Sequence, residues 1–178
     1  IMLEESFSEL ERTRLEKLRE MQAQGLDPYP TRAEQTHTSR EAIEAFEGAE
    51  GEGEEAPLQV TLAGRIRALR PMGKIAFAHI DDRDGRVQLF FRINDIGEEK
   101  MAELDAFYDL GDFIQASGHM FRTRRGEVTL YVKDFKMLAK ALRPLPAAKD
   151  EVVDGEVVRH ATLTDPETRY RQRYVDLE

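Results

Sequence analysis

The apolar positions of this chain follow two periods. Over residues 3–24, Leu3, Phe7, Leu10, Leu18 and Met21 recur at steps of three or four or multiples of them, with Leu15 beside the stripe. Glu, Arg and Lys fill the other side, so the spacing predicts an amphipathic helix. Gly25 suits the position just past its last turn, and Pro28 and Pro30 forbid continuation. A short helix is predicted from Ser39, with Thr38 as cap and Glu41 three positions on, so that side chain and backbone satisfy each other. Ala42, Ile43 and Phe46 give it an apolar face. Residues 47–57, EGAEGEGEEAP, hold nothing apolar larger than Ala. Like charges and glycines there predict a solvated, mobile linker.

From Leu58 the period becomes two. Val60, Leu62, Gly64, Ile66 and Ala68 alternate with Thr61, Ala63, Arg65 and Arg67, the pattern of a half-buried strand. Pro71-Met72-Gly73 is a turn, residues 75–80 a second strand, and residues 81–85 a polar hairpin loop ending in Gly. Val87, Leu89 and Phe91 alternate with Gln88, Phe90 and Arg92 in a third strand. Residues 96–108 read as a helix on Ile96, Met101, Leu104 and Phe107. A fourth strand runs over 112–121 and, past the basic turn 122–126, a fifth over 127–138. Three strands, a helix and two strands is the element order of an OB fold, a small five-stranded Greek-key barrel. The fold class is therefore α+β, mainly β, with an N-terminal helical arm. Its expected parts are residues 1–57 (arm and acidic linker), 58–143 (barrel) and 144–178 (a linking tail). In the tail, RPLP is stiff, Val152-Val153 and Val157-Val158 flank Asp154-Gly155 as a small hairpin, and Asp165-Pro166 starts like a capped helix.

Composition narrows the function. Without cysteine there is no disulfide or thiolate metal site, and His37, His79, His119 and His160 lack metal-binding spacing. No apolar run is long enough for a membrane span, and the acidic start is unlike a signal peptide, so the cytoplasm is the expected compartment. No nucleophile elbow, P-loop or calcium loop is present, and no catalytic residue is predicted. The net charge of −9 speaks against a nucleic-acid partner, but the charge is segregated. Residues 41–55 carry seven acids and no base, whereas residues 56–92 carry seven bases against three acids.

An OB barrel binds oligonucleotides or oligosaccharides across strands two and three. Single-stranded nucleic acid needs aromatic platforms, cations and polar groups for base edges. Phe77 and His79 share one side of the second strand, and Gln88 and Phe90 one side of the third. Arg65, Arg67 and Arg70 come from the first strand, and Lys74 opens the second. The residues alone leave other readings open. Phe77 has the parity of Ile75 and suits a core position as well; Gln88 and the arginines suit a solvated face; Glu127 suits a polar turn.

Five segments together resemble class II lysyl-tRNA synthetases of bacterial type: RLEKLREMQAQGLDPYP (14–30, followed by Thr36-His37-Thr38), the run from Val60 to Phe91, YDLGD (108–112), KALRPLP (140–146) and RYRQRYVDLE (169–178). The resemblance covers nearly the whole chain. It implies the N-terminal anticodon-binding region of such an enzyme, with the lysine tRNA anticodon loop as partner. By position, Phe77 would stack on an anticodon base, Gln88 would bond the central uridine, Arg70 would touch the same loop, and Glu127 would read a base edge. Aspartate-specific enzymes share the Phe, Gln and Arg, whereas MGK, RPLP and RYRQRY favour lysine. Two stretches depart from the pattern: 147–163 is longer than the usual connection, and 47–55 looks like an insertion.

The resemblance also implies that ATP, Mg²⁺, the lysine-activating site and the dimer contacts lie in a catalytic domain beyond Glu178, so that this piece needs no cofactor and lacks the active site. The alternatives are a stand-alone OB-type single-strand binder, an aspartyl-type anticodon domain, and an interaction paralogue without tRNA binding.

Overall fold

The computed structural model describes residues 7–52, 57–143, 149–153 and 156–160. The chain divides into two compact units, Ile1–Leu142 and Arg143–Glu178.

Period-two patterning produces the barrel of the first unit. Its strands are β1 (Gln59–Met72), β2 (Ile75–Asp81), β3 (Arg86–Arg92), β4 (Phe113–Arg122) and β5 (Val128–Ala139), closed in the order β1-β2-β3-β5-β4. Alternate side chains turn inward: Val60, Leu62 and Ile66; Ala76, Ala78 and Ile80; Val87, Leu89 and Phe91; Ile114, Ala116 and Met120; Leu130 and Val132. Small alanines beside Phe91 and Leu89 let the layers interdigitate, as a narrow barrel requires. β1 is long enough to serve two neighbours. Its first half pairs with β4, from Gln59↔His119 to Arg65↔Phe113, and its second with β2, ending Arg70↔Phe77, Pro71↔Ala76, Met72↔Ile75. The register shift between Ile66 and Ala68 is the bend between the halves. Closure comes from parallel pairing of β3 with β5, Gln88↔Thr129 to Phe90↔Tyr131. At the β4–β5 bulge, a Cβ on Gly118 would overlap the Tyr131 carbonyl oxygen, so only glycine lets these backbones meet.

The expected helix over 96–108 is two pieces, α3 (Ile93–Ile96) and α4 (Glu98–Phe107). Gly97, at φ +89°, breaks between them. Met101, Leu104 and Phe107 of α4 join the core.

The arm begins with α1 (Glu9–Ala23). It starts later than residue 3 because Ser8 caps it, with Glu11 completing a capping box. Residues 1–6 lie outside the described part. Of the predicted stripe Met21 is buried and Leu18 half-buried, and Arg14 is buried on the same face. Leu10 is 49% exposed while Arg14 is buried, because the Arg14 guanidinium donates to the carbonyls of Leu110 (2.9 Å) and Ala141 (3.0 Å). Beside it Lys140, fully buried, holds Asp112 at 2.6 Å and Asp109 at 2.7 Å, and Asp109 also binds Lys17 at 2.7 Å. The Tyr29 hydroxyl donates to the Lys140 carbonyl at 2.7 Å, and the Lys140 N–H to the Pro28 carbonyl. The segments RLEKL, DPYP, YDLGD and KAL thus meet in one clasp of arm on barrel. Burial pushes the Asp112 carboxyl up, against its hydrogen bonds from Lys140 and backbone; at Asp109 burial is outweighed by Lys140 and Lys17, which hold it low.

α2 (Ser39–Glu52) has the expected Thr38–Glu41 capping exchange. It does not end where a linker was expected: residues 47–52 are helical, and the mobile-linker reading fails over them. Glu47 and Glu50, one turn apart, both face Arg122, and the bond from Arg122 Nη2 to Glu50 is 2.7 Å. Residues 53–56 lie outside the described part.

In the second unit, β6 (Lys149–Val153) and β7 (Glu156–His160) pair antiparallel, with Val152↔Val157, as the hairpin pattern predicts. Asp154-Gly155, most of RPLP and the helix predicted from Asp165 lie outside the described residues.

Candidate nucleic-acid interface

Whatever faces inward in a small barrel is core, so the alternate residues must cover or present its outside. Over β1 and β4 they are covered. Glu34 N–H donates to Gln115, Thr36 and Thr61 exchange backbone and side-chain bonds, and Ser39 binds Asp82 through N and Oγ. Over the middle of β2 and β3 and the adjoining parts of β4 and β5, the described arm segment 30–38 makes no such bonds; there, among the described residues, only Asp95 of α3 and the acidic side of α2 reach the strands.

Register lines up one continuous row there. Arg70 opposes Phe77, Phe77 opposes Phe90, Phe90 opposes Tyr131, and Tyr131 opposes His119. Phe77 is half-buried, and its neighbours Ala76 and Ala78 hold the core positions, which resolves the parity question in favour of the outer face. The rings touch along the row: Phe77 and Phe90 at 5.0 Å between centroids, Phe90 and Tyr131 at 5.1 Å, Tyr131 and His119 stacked at 4.9 Å. Phe121 closes on Phe90 and Tyr131. Lys133 sits 4.4 Å over the Tyr131 ring, and Asp95 accepts from both the Tyr131 hydroxyl and the Lys133 ammonium. Those two donors hold the Asp95 carboxyl below the ordinary range.

One pleat along lies a polar row. His79 opposes Gln88, and Gln88 opposes Thr129. The Thr129 hydroxyl lies 2.9 Å from Gln88 Oε1 and 3.2 Å from the Glu127 carbonyl; with its proton on the nearer Gln88, the amide NH₂ is the end without a partner among the described residues. Glu127, 49% exposed in its side chain, accepts at Oε1 from His79 Nε2 at 3.0 Å. Ring, amide and carboxylate are therefore on the same side of the barrel. A base stacked on Phe77 would meet an amide donor and a carboxylate acceptor at its edge, and uridine offers carbonyls to the first and an N–H to the second.

The cations predicted for this face divide. Arg70 stands beside Phe77. Lys74 is exposed in the β1–β2 turn. Arg67 is spent on Asp81, which Arg86 also holds, and the two arginines keep the Asp81 carboxyl low against its burial. Arg65 lies over the Phe113 ring at 4.8 Å on the β4 side. Neither of these two joins the aromatic row. Reading the sequence missed His119, Phe121, Tyr131 and Lys133. Their alternation with Met120, Leu130 and Val132 was the available signal. Among the described residues no group of three or more His, Asp or Glu could hold a metal ion, and no helix is long and apolar enough to cross a membrane.

Residues 60–138, the barrel itself, match the family of OB-fold nucleic acid binding domains for the tRNA anticodon. The barrel belongs to that family. Over 177 residues the chain is 43% identical to the lysine–tRNA ligase of Clostridium kluyveri, covering 99% of this chain and 32% of that protein. With the lysine–tRNA ligase of Clostridium tetani it shares 44% over 175 residues, 98% of this chain and 31% of that one. The match to the lysine–tRNA ligase of Clostridium botulinum strain Hall has the same identity and coverage. The chain thus spans about a third of the length of these relatives and matches their N-terminal, anticodon-binding region. Within the OB-fold family match lie the whole aromatic row and the polar row beside it, from Arg70 to Tyr131.

Proposed function

We propose that this chain reads the anticodon of a lysine tRNA, as the N-terminal region of a lysine–tRNA ligase. The observation that carries the reading is the shared face of Arg70, Phe77, Gln88 and Glu127. Phe77 supplies the platform for an unpaired uridine, which stacks weakly by itself. The NH₂ of Gln88 donates to a uridine carbonyl, and Glu127 accepts from a base N–H. Arg70 meets the backbone phosphate, a contact that positions without specifying. Lys74, His79 and Phe90 border the same face as secondary contacts. Ligation of lysine to tRNA, with its ATP and Mg²⁺, belongs in this reading to a separate catalytic region of the ligase, in a cytoplasmic homodimer.

The test is a binding titration with an RNA stem-loop whose loop carries three unpaired uridines, against loops changed at each uridine in turn and an unrelated single strand of equal length. The uridine loop should bind best, with a penalty of about 1–3 kcal/mol at a read position. Equal affinity for all of them leaves only a non-selective single-strand binder. No binding even at low salt, where phosphate contacts are strongest, removes nucleic acid as the partner altogether.

A further inference from the structure

We infer that the acidic helix α2 sets the aim of Glu127: Glu50, acting through Arg122, is a positioning residue for base choice. This rests on the reading of Glu127 as a base-edge contact.

Glu127 stands at the end of the β4–β5 turn, one residue before β5. The turn is tight and held from within. Gly126 N–H donates to the Thr123 carbonyl at 2.8 Å, Thr123 N–H to the Glu127 carbonyl at 2.9 Å, and Glu127 N–H to Thr123 Oγ1 at 3.2 Å. Gly126, at φ +89°, sits in the left-handed region. These bonds fix the turn's shape, not its direction relative to the barrel face. Direction comes from Arg122. Its Nη1 donates to the Gly126 carbonyl at 2.8 Å, the peptide that leads into Glu127. Its Nε and Nη2 reach Glu50 at 3.1 and 2.7 Å, a forked pair, with Glu47 3.8 Å from Nη2. The planar guanidinium has a fixed fork, so anchoring one edge on α2 orients the remaining N–H toward Gly126. The same helix places the Phe46 ring 6.0 Å from the guanidinium, a second contact that holds its plane. On the far side, His79 Nε2 holds the carboxylate itself at 3.0 Å.

Glu127 is therefore set from two directions, by His79 at its carboxylate and by α2 at its backbone. The carboxylate pair at 47 and 50 has a second effect. It neutralises Arg122, a cation that would otherwise hold phosphate beside the reading site without regard to sequence. Both effects favour selection of bases over bare attraction to the backbone.

The experiment uses the full 178-residue chain and the RNA stem-loop with three unpaired uridines, together with its single-base variants. Discrimination is the ratio of affinities between the matched and the variant loops. Glu50→Ala and Arg122→Met should each reduce discrimination at the position read by Glu127 by roughly three- to tenfold, the worth of one lost orienting hydrogen bond. The other two positions should keep their ratios. The double variant should lose no more than either single one, because both act through one linkage. Arg122→Lys keeps the charge but loses the fork, and should behave as Arg122→Met does in this ratio. A merely structural role would lower all three ratios or the unfolding midpoint together.

Glu127→Ala separates the two readings. If it changes no ratio, Glu127 reads no base and the underlying assignment fails. If it changes one ratio and Glu50→Ala does not, Glu127 reads a base unaided and the role of α2 is overturned.

Discussion

The most consequential single side chain is Phe77. Its ring leans on Phe90 and is half-buried, so its loss opens no cavity in the core. Phe77→Ala should weaken the uridine stem-loop by about 1–3 kcal/mol, the usual worth of one base–aromatic stack. The unfolding midpoint should change far less than for a core truncation such as Leu89→Ala, about 2–5 kcal/mol. Paired binding and melting curves check both, and unchanged affinity would take Phe77 out of the site. Its side of the strand was not legible from pattern, because β2 carries apolar residues on both faces and Ile75 and Phe77, outside, are larger than Ala76 and Ala78, inside. Gln88 was easier: a polar residue between Val87 and Leu89 can only face out. Arg67 could not be sorted from Arg70 by sequence, since what separates them is Asp81, a partner from the next strand.

Among the elements, the five strands and their order were legible because alternation and glycine turns are local signals. The end of α2 was not. Gly48, Gly51 and the like charges argue against a helix between residues 47 and 52; Arg122, 72 positions from Glu50, supplies the partner. The face of α1 was legible at Leu18 and Met21 but not at Arg14, which is buried on that face to serve carbonyls at Leu110 and Ala141. The clasp these contacts belong to gives a prediction about the arm. Lys140→Met leaves Asp112, fully buried, without its cation, and should destabilise the chain by about 3–5 kcal/mol in urea unfolding. Replacing Lys140 and Asp112 together by Met and Leu should recover much of that loss. A double variant as unstable as the single one would mean that the pair's backbone contacts, not its charge, hold the arm.

For the whole molecule the charge pattern decides how stability responds to acid. Burial, and then Lys133, lower the His119 pKa, so the neutral ring is the native form. Its contribution is complete above the ordinary imidazole value of about 6.5 and is lost as pH falls from there through the lower folded value. Asp81, Asp82, Asp95 and Asp109 are also held low, so their contribution is complete above the ordinary carboxylate range and is lost on further acidification through their folded values. Asp112 runs the other way, since its raised pKa makes ionisation costly. Thermal midpoints from about pH 8 to about pH 5.5 should therefore fall, and His119→Gln should flatten that first decline. A wild-type curve flat over this window would contradict the half-buried neutral ring.

The parallel seam between β3 and β5 has one last consequence. Gln88 and Thr129 meet across 41 positions of chain, and Phe90 and Tyr131 face each other over the same join. No single hairpin of this chain carries both halves of the ring row. The face comes into being only when the cylinder shuts, and any strand of RNA lying across Phe77, Phe90 and Tyr131 would stitch that join, making its departure and the parting of the seam two views of one event.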